Sequence, residues 1–187
     1  KQNFFEYGVK AGFTYKIDGR NYLLLNGAYL TQAPSTRDAY VSPRTRHDVA
    51  DGLETRKMLS FEGGYLLKAP YAKARAIGYY TRFDDLLWNR SFYLDNAIIT
   101  NDGTRGGFVN YIMPGISTQH LGLELAAEVT ILTGLKLNGV AAIGQYTYTN
   151  RPEVTVYLDN LAQEINRDQV YIENFYVSGT PQTAYSI

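Results

Sequence analysis

Few residues of this chain are of a type and spacing that could do chemistry, and they are scattered. Two histidines, His47 and His120, lie far apart, with no second imidazole or carboxylate at ligand spacing around either. They lack the pattern of a metal site and are expected to be a loop residue and a strand-end residue. Asp84-Asp85 and the pair Asp48/Asp51 are neighbouring carboxylates. Acid–base catalysis needs a partnered acid and base in a pocket, and solvated charges at a strand end and in a loop are the expected role. Asp102-Gly103-Thr104-Arg105-Gly106-Gly107 is glycine-rich but lacks the strand-to-helix context of a phosphate cradle; it is expected to be a loop tip. No Gly-x-Ser-x-Gly elbow and no Ser/His/Asp set occurs. The expectation is therefore a protein that is not an enzyme, with no catalytic residue, no metal and no cofactor.

Charge offers more. Arg37, Arg44, Arg46 and Arg56, with Tyr40 among them, fall in one segment. Guanidinium forks bind carboxylate and phosphate bidentately, so these five residues are ligand-binding candidates. Asp38, Asp48, Asp51 and Glu54 are interspersed with them, and a loop that pairs its own charges is the competing expectation. A second set, Lys10, Glu62, Lys68, Glu124, Glu128 and Lys136, sits within alternating segments and is assigned to one polar, inward face.

The elements that position these residues are strands. Phe5, Tyr7, Val9, Ala11, Phe13, Tyr15 and Ile17 alternate with Glu6, Gly8, Lys10, Gly12, Thr14 and Lys16. This is period two over a length that suits a tilted membrane-spanning strand. Asp18-Gly19 marks a hairpin turn, and residues 20–30 return. Further strands are predicted over residues 58–69, 73–83, 108–131, 135–148 and 174–187. The facing of 73–83 is ambiguous, because Arg75 and Arg82 fall on opposite sides. Pro114-Gly115 is expected to bulge or break its strand. Long loops are predicted over 31–57, 84–107 and 149–171, the last partly helical across DNLAQEINRD.

Turns thus alternate short and long, as in transmembrane barrels of the outer-membrane type. Aromatic residues cluster near strand ends (Phe4, Phe5, Tyr15, Tyr22, Tyr29, Tyr79, Tyr80, Tyr146, Tyr148), as an interfacial girdle requires. Composition agrees: 17 Tyr and 17 Gly with short alternations favour β structure. The balance of 18 basic and 18 acidic residues gives no reason to expect nucleic acid as a partner. Absence of cysteine excludes disulfides and thiolate metal sites. No signal peptide is visible, and both ends read as strand interior, so the chain is expected to be a piece of a longer one, all of it (1–187) within a single β-barrel domain. The fold expectation is all-β: an antiparallel transmembrane β-barrel segment with short periplasmic turns and long extracellular loops. A soluble or surface-exposed β-sandwich module for binding or adhesion is the alternative, and a barrel enzyme comes last.

Three segments carry a family resemblance: residues 20–49, RNYLLLNGAYLTQAPSTRDAYVSPRTRHDV; residues 60–85, SFEGGYLLKAPYAKARAIGYYTRFDD; and residues 115–139, GISTQHLGLELAAEVTILTGLKLNG. The chain resembles the barrel region of a TonB-dependent outer-membrane receptor of the Bacteroidetes type. In that family a polar-x-x-Gly-(Leu/Val)-Glu-Leu strand follows a long outer loop. Here it is Gln119-His120-Leu121-Gly122-Leu123-Glu124-Leu125, with Gln and His where a basic residue is common. The resemblance implies about seven strands of a barrel of about 22, filled by the receptor's own plug domain. It also implies a bacterial outer-membrane location in contact with lipid and energy-coupled uptake driven by the inner-membrane TonB complex. The outer loops would bind an extracellular nutrient, such as a metal chelate (a siderophore), a cobalamin or a glycan. A surface lipoprotein is a further partner that the resemblance allows. The plug, TonB box and C-terminal signal are not in this sequence.

Overall fold

Period-two alternation becomes a continuous antiparallel ladder in the computed structural model, which describes residues 3–98 and 105–187. Nine strands follow one another: β1 Gly8–Lys16, β2 Asn21–Gln32, β3 Arg56–Lys68, β4 Ala72–Ile98, β5 Arg105–Leu132, β6 Leu135–Tyr148, β7 Glu153–Leu158, β8 Gln163–Gln169 and β9 Thr183–Ser186. Seven form one sheet in the order β1-β2-β3-β4-β5-β6-β9, while β7 and β8 attach beside β5. All pairings are antiparallel. The fold is all-β, with no helix among the described residues. The sheet is open, and its first and last strands are not paired to each other.

One end of the sheet carries only short turns. The first is not the two-residue type that Asp18-Gly19 suggests. Gly19 keeps a negative φ, and the turn is closed by the Asp18 carboxylate, which accepts from the backbone N–H of Arg20 (2.7 Å) and Asn21 (2.9 Å) and from Asn21 Nδ2 (2.7 Å). An Asp side chain thus replaces the left-handed glycine as the turn-forming device. These bonds, led by the one from Arg20, hold the Asp18 pKa below its ordinary value of 3.8. A lowered folded-state pKa stabilises above the unfolded value and is lost as pH falls through the folded one. Faster exchange of the Arg20 and Asn21 amides is therefore expected in Asp18→Ala at neutral pH, and in the parent protein only below about pH 3.8. Equal protection in Asp18→Ala at pH 7 would show that the carboxylate does not hold the turn. At the β5–β6 turn, Gly134 does adopt positive φ (85°), as a tight turn there requires.

The other end is where sequence expectation and structure part. Residues 84–107, expected to be a loop, are mostly strand: β4 runs on to Ile98 and β5 begins at Arg105, making a ribbon that rises past the sheet. The bulge expected at Pro114-Gly115 is present. Ladder register shifts between Leu86↔Ile116 and Trp88↔Met113, and Gly115 takes φ 71°. Asp102, Gly103 and Thr104 of the glycine-rich stretch lie outside the described residues, and Gly106 and Gly107 are in β5. Nor is residues 149–171 a partly helical loop. It contains the β7–β8 hairpin, with β7 continuing the line of β6 along β5 after a one-residue change of register. The last predicted strand shrinks to Thr183–Ser186, preceded by a lone bridge between Thr147 and Tyr176.

Register across the sheet assigns every side chain a face. On one face, rows such as Phe13–Leu25–Gly63–Gly78–Leu123–Ile143 and Tyr15–Leu23–Tyr65–Ala76–Leu125–Ala141 cross six strands. Below the row that holds Arg82, no charged residue interrupts this face. The facing of 73–83 is thereby resolved: Arg82 sits at the upper border of the apolar band, and Arg75 on the opposite face. Large apolar side chains on this face stand uncovered. Along β5, Leu121, Leu123, Leu125, Ala127 and Val129 are exposed, whereas Gly122, Glu124, Ala126, Glu128 and Thr130 are half-buried. Phe13 and Leu25 are 62% and 60% exposed.

The opposite face is packed by tyrosines over glycines. Gly122 pairs with Gly144, and Tyr79 donates to or accepts from Tyr146 across them at 2.5 Å. A Cβ at Gly122 would meet the Tyr79 hydroxyl at 2.5 Å and the Ile143 carbonyl oxygen at 2.8 Å, while one at Gly139 would meet nothing within 4 Å. Gly122→Ala is thus expected to cost about 1–3 kcal/mol by overpacking, and Gly139→Ala close to nothing. Urea midpoints of both variants give the comparison; equal midpoints would contradict the packing of Tyr79 over Gly122.

Well-buried side chains collect in the ribbon and its neighbours, at the long-loop end. Ile112 packs with Val41, Ala50 and Tyr157; Val109 with Val156 and Leu158; Met113 and Ile116 with Val154. This head folds the 33–55 loop against β5 and β7.

Candidate functional site

The head is organised around one asparagine. Asn110 is fully buried, and its Nδ2 donates to Ser42 Oγ (3.1 Å) and to Asp159 Oδ1 (2.7 Å), while Ser91 Oγ donates to its Oδ1. Thr45 Oγ1 donates to the Asp159 carbonyl (3.1 Å), and Asn89 Nδ2 to the Tyr40 carbonyl (3.2 Å). Four chain segments are thereby tied together by polar bonds within an apolar surround. Such bonds fix one arrangement because any other leaves the same groups unpaired.

Beside this network, above the point where β3 ends and leaves one edge of β4 free, lies a cavity of about 620 Å³. Arg37, Asp38, Pro43 and Arg44 come to it from the loop; Leu87, Trp88, Asn89, Arg90 and Ser91 from β4; Phe108 from β5. The Arg44 guanidinium lies 5.9 Å from the Phe108 ring centroid, and that of Arg90 lies 5.6 Å from the Trp88 ring.

The five loop candidates do not act as one set. Arg37 and Arg44 enter this cavity. Arg46 is turned away to Asp48, at 3.0 Å. Tyr40 pairs with Val49 in an isolated bridge and sets its ring edge-on to His47. Arg56 donates to Gln32 Oε1 and lines a separate, mostly apolar cavity of about 480 Å³ with Met58, Phe83, Ile116 and His120. A self-paired loop is realised only in part, through Arg46–Asp48 and Lys57–Glu54. Reading residues 84–107 as loop hides Trp88 and Arg90, which lie in β4. Period two across Trp88-Asn89-Arg90 is the signal that points to them.

The second set lies together. Lys10, Glu62, Lys68, Glu124, Glu128 and Lys136 all occupy the face opposite the apolar band. Glu128 accepts from Lys136 (3.2 Å) and lies 3.4 Å from Lys73; Glu124 lies 3.5 Å from Arg75. Lys10 and Glu62 flank one shallow groove, and Lys68 lies over the Tyr22 ring at 5.2 Å.

On the outer hairpin, Arg167 bridges Glu164 (2.8 Å) and Glu153 (3.0 Å), joining β8 to β7. Its guanidinium holds the Glu164 carboxyl below the ordinary 4.5.

The chain matches no protein-family profile, no curated protein and no solved structure.

Proposed function

We propose that this chain is part of the wall of a transmembrane β-barrel in a bacterial outer membrane, and that the barrel belongs to a TonB-dependent receptor that takes up a scarce nutrient. The observation that carries the membrane part is the charge-free apolar band. It crosses six strands and leaves large apolar side chains uncovered, among them Phe13, Leu25, Phe61, Leu121 and Ile143. Between Leu121 and Ile131 it extends about 33 Å along β5, or about 25 Å across a bilayer at the usual tilt, the height of a lipid-facing belt. In water such a face would be an aggregation surface far larger than a monomer tolerates; in lipid it is the solvated face.

Charges on the other face then line a wet interior or meet a plug, where ionised groups avoid lipid. The short-turn end is periplasmic, and the head with its cavity is extracellular. Further strands complete the barrel and pair the edges left open at β1 and at the β6–β9 side, since an unpaired edge in hydrocarbon is prohibitive. The receptor class comes from the resemblance of residues 20–49, 60–85 and 115–139, and with it the plug, the TonB complex, the nutrient ligand and an accessory surface lipoprotein as partners. A sandwich module would need a second layer over the band; among the described residues none covers it.

Fractionation of cells making the full-length protein tests this, with membrane samples run on a gel boiled and unboiled. The expected result is an outer-membrane band that migrates faster unboiled. A soluble protein, or one whose mobility ignores boiling, would refute the barrel.

A further inference from the structure

The mostly apolar cavity beside Met58 and Phe83 narrows the ligand class, taking from the proposed function only that its face lines the barrel's interior. Register fixes its floor. Leu30, Met58, Phe83, Thr118 and Tyr148 are ladder partners in succession, one from each of β2 to β6. They form a single row across five strands on the face opposite the apolar band, and all five line the cavity. Leu86, Trp88 and Ile116 extend the lining past the register shift in β4. The nearest rows below it on this face are polar, Ser60–Thr81–His120–Tyr146 and then Asn26–Glu62–Tyr79. The apolar row is thus a local departure at the long-loop end of a polar face. It stands partly uncovered, with Trp88 49% exposed.

What this cup offers a ligand is apolar surface, aromatic rings and one charge. Phe83 meets His120 edge-on at 5.3 Å, and His120 stacks on Tyr146 at 4.8 Å, so the rings hold one another in place. Thr118 is buried, and its Oγ1 lies 3.3 Å from His120 Nε2, which commits that polar pair internally. Arg56 lies at the rim, opposite Gln32 and two residues before Met58 on the same face. It donates to Gln32 Oε1, a neutral acceptor, while Glu54 and Asp85 pair with Lys57 at 3.5 and 2.7 Å. A guanidinium is thus left with its charge at one end of an apolar cup, and carboxylate is the group that matches its fork. The volume, about 480 Å³, takes a whole small molecule. A sugar would leave hydroxyls unpaired against Leu30, Met58 and Phe83, and unpaired polar groups are costly to bury.

We propose that this cup binds a small amphipathic anion, a molecule with an apolar, ring-bearing body and one carboxylate, with the body seated on the Leu30–Met58–Phe83–Tyr148 row and the carboxylate at Arg56. Within the nutrient classes of the proposed function, this favours an apolar cargo over a glycan.

Titration calorimetry on the full-length protein in detergent micelles tests this, with protein-free micelles as the blank. The probe is naphthoate, which has both body and charge; naphthol has the body alone, acetate the charge alone, and glucose neither. Naphthoate is expected to bind, and each of the others at least about tenfold more weakly. Arg56→Gln is expected to bring naphthoate down to the level of naphthol and to leave naphthol unchanged. Met58→Trp fills the cup and is expected to weaken both by at least about tenfold, while Arg46→Gln changes neither. Arg56 is exposed, and unboiled gel migration shows whether each variant is folded. No heat with naphthoate, or glucose binding in its place, would overturn the proposal. Equal affinity of the parent protein for naphthoate and naphthol, or naphthoate affinity that survives Arg56→Gln, would overturn the anion's place at Arg56. A heat-modifiable barrel that does not bind naphthoate refutes this inference alone. A protein that loses naphthoate through Met58→Trp but whose mobility ignores boiling refutes the barrel and keeps the site.

Discussion

Ala141→Arg is expected to destabilise the protein in bilayers by about 2–4 kcal/mol, the cost of an arginine facing lipid near the midplane. Its neighbour Ala142→Arg is expected to cost little or nothing. The contrast follows from the ladder. Ala141 pairs with Leu125 and stands in the middle of the charge-free band, whereas Ala142 pairs with Glu124 on the opposite face, where a new guanidinium finds a carboxylate beside it. Intrinsic propensity differs by nothing between the two variants, because the same residue replaces the same residue one position apart in one strand. Folding midpoints in urea, measured in vesicles with both variants, separate the two faces. Equal costs would mean that this face does not meet lipid.

Asn110→Ala is expected to release the 33–55 loop from the head while leaving the sheet below intact. The substitution strips partners from Ser42, Ser91 and Asp159 at once. Ser42 and Asp159 are 0% and 6% exposed, so water does not readily replace what is lost. Each buried polar group left unpaired costs about 1–3 kcal/mol, which puts the whole effect at several kcal/mol, concentrated in one segment. Hydrogen exchange reads it directly. The Val41 and Ala50 amides, which donate to Asp48 O (2.9 Å) and Ala39 O (3.0 Å), should lose protection, and the amides of β5 between Leu121 and Val129 should keep theirs. Retained protection at Val41 and Ala50 would show that apolar packing against Ile112 and Tyr157 suffices to hold the loop.

The lower sheet was legible in the sequence because its strands are covered differently on their two faces. A strand with one apolar face and one polar face must alternate, as β1 and residues 121–129 of β5 do. The first turn followed from Asp18-Gly19, although its device is a carboxylate rather than a left-handed backbone. The head was not legible, for the same reason inverted. Residues 154–159 are buried on both sides, so period two disappears where packing surrounds a strand. Leu161 and Ile165 mimic helical spacing, yet Leu161 falls in the β7–β8 turn, where Ala162 takes φ 51°, and Ile165 packs on the cluster of Val109, Val156 and Leu158.

The sequence by itself determined the strand alternation, the short turns, and the face on which Lys10, Glu62, Lys68, Glu124, Glu128 and Lys136 lie, because each of these depends on neighbours a few residues away. Only the tertiary structure decided which arginines share a cavity. Closeness along the chain groups Arg37, Arg44, Arg46 and Arg56, but the fold sets Arg44 beside Phe108 of β5 and sends Arg46 to Asp48 and Arg56 to Gln32. Local charges fix Arg46, since Asp48 is within reach along the chain. Arg37 and Arg44 find no such partner, and their surroundings are set by long-range pairing of β4 with β5 and by the Asn110 network, which no local pattern encodes.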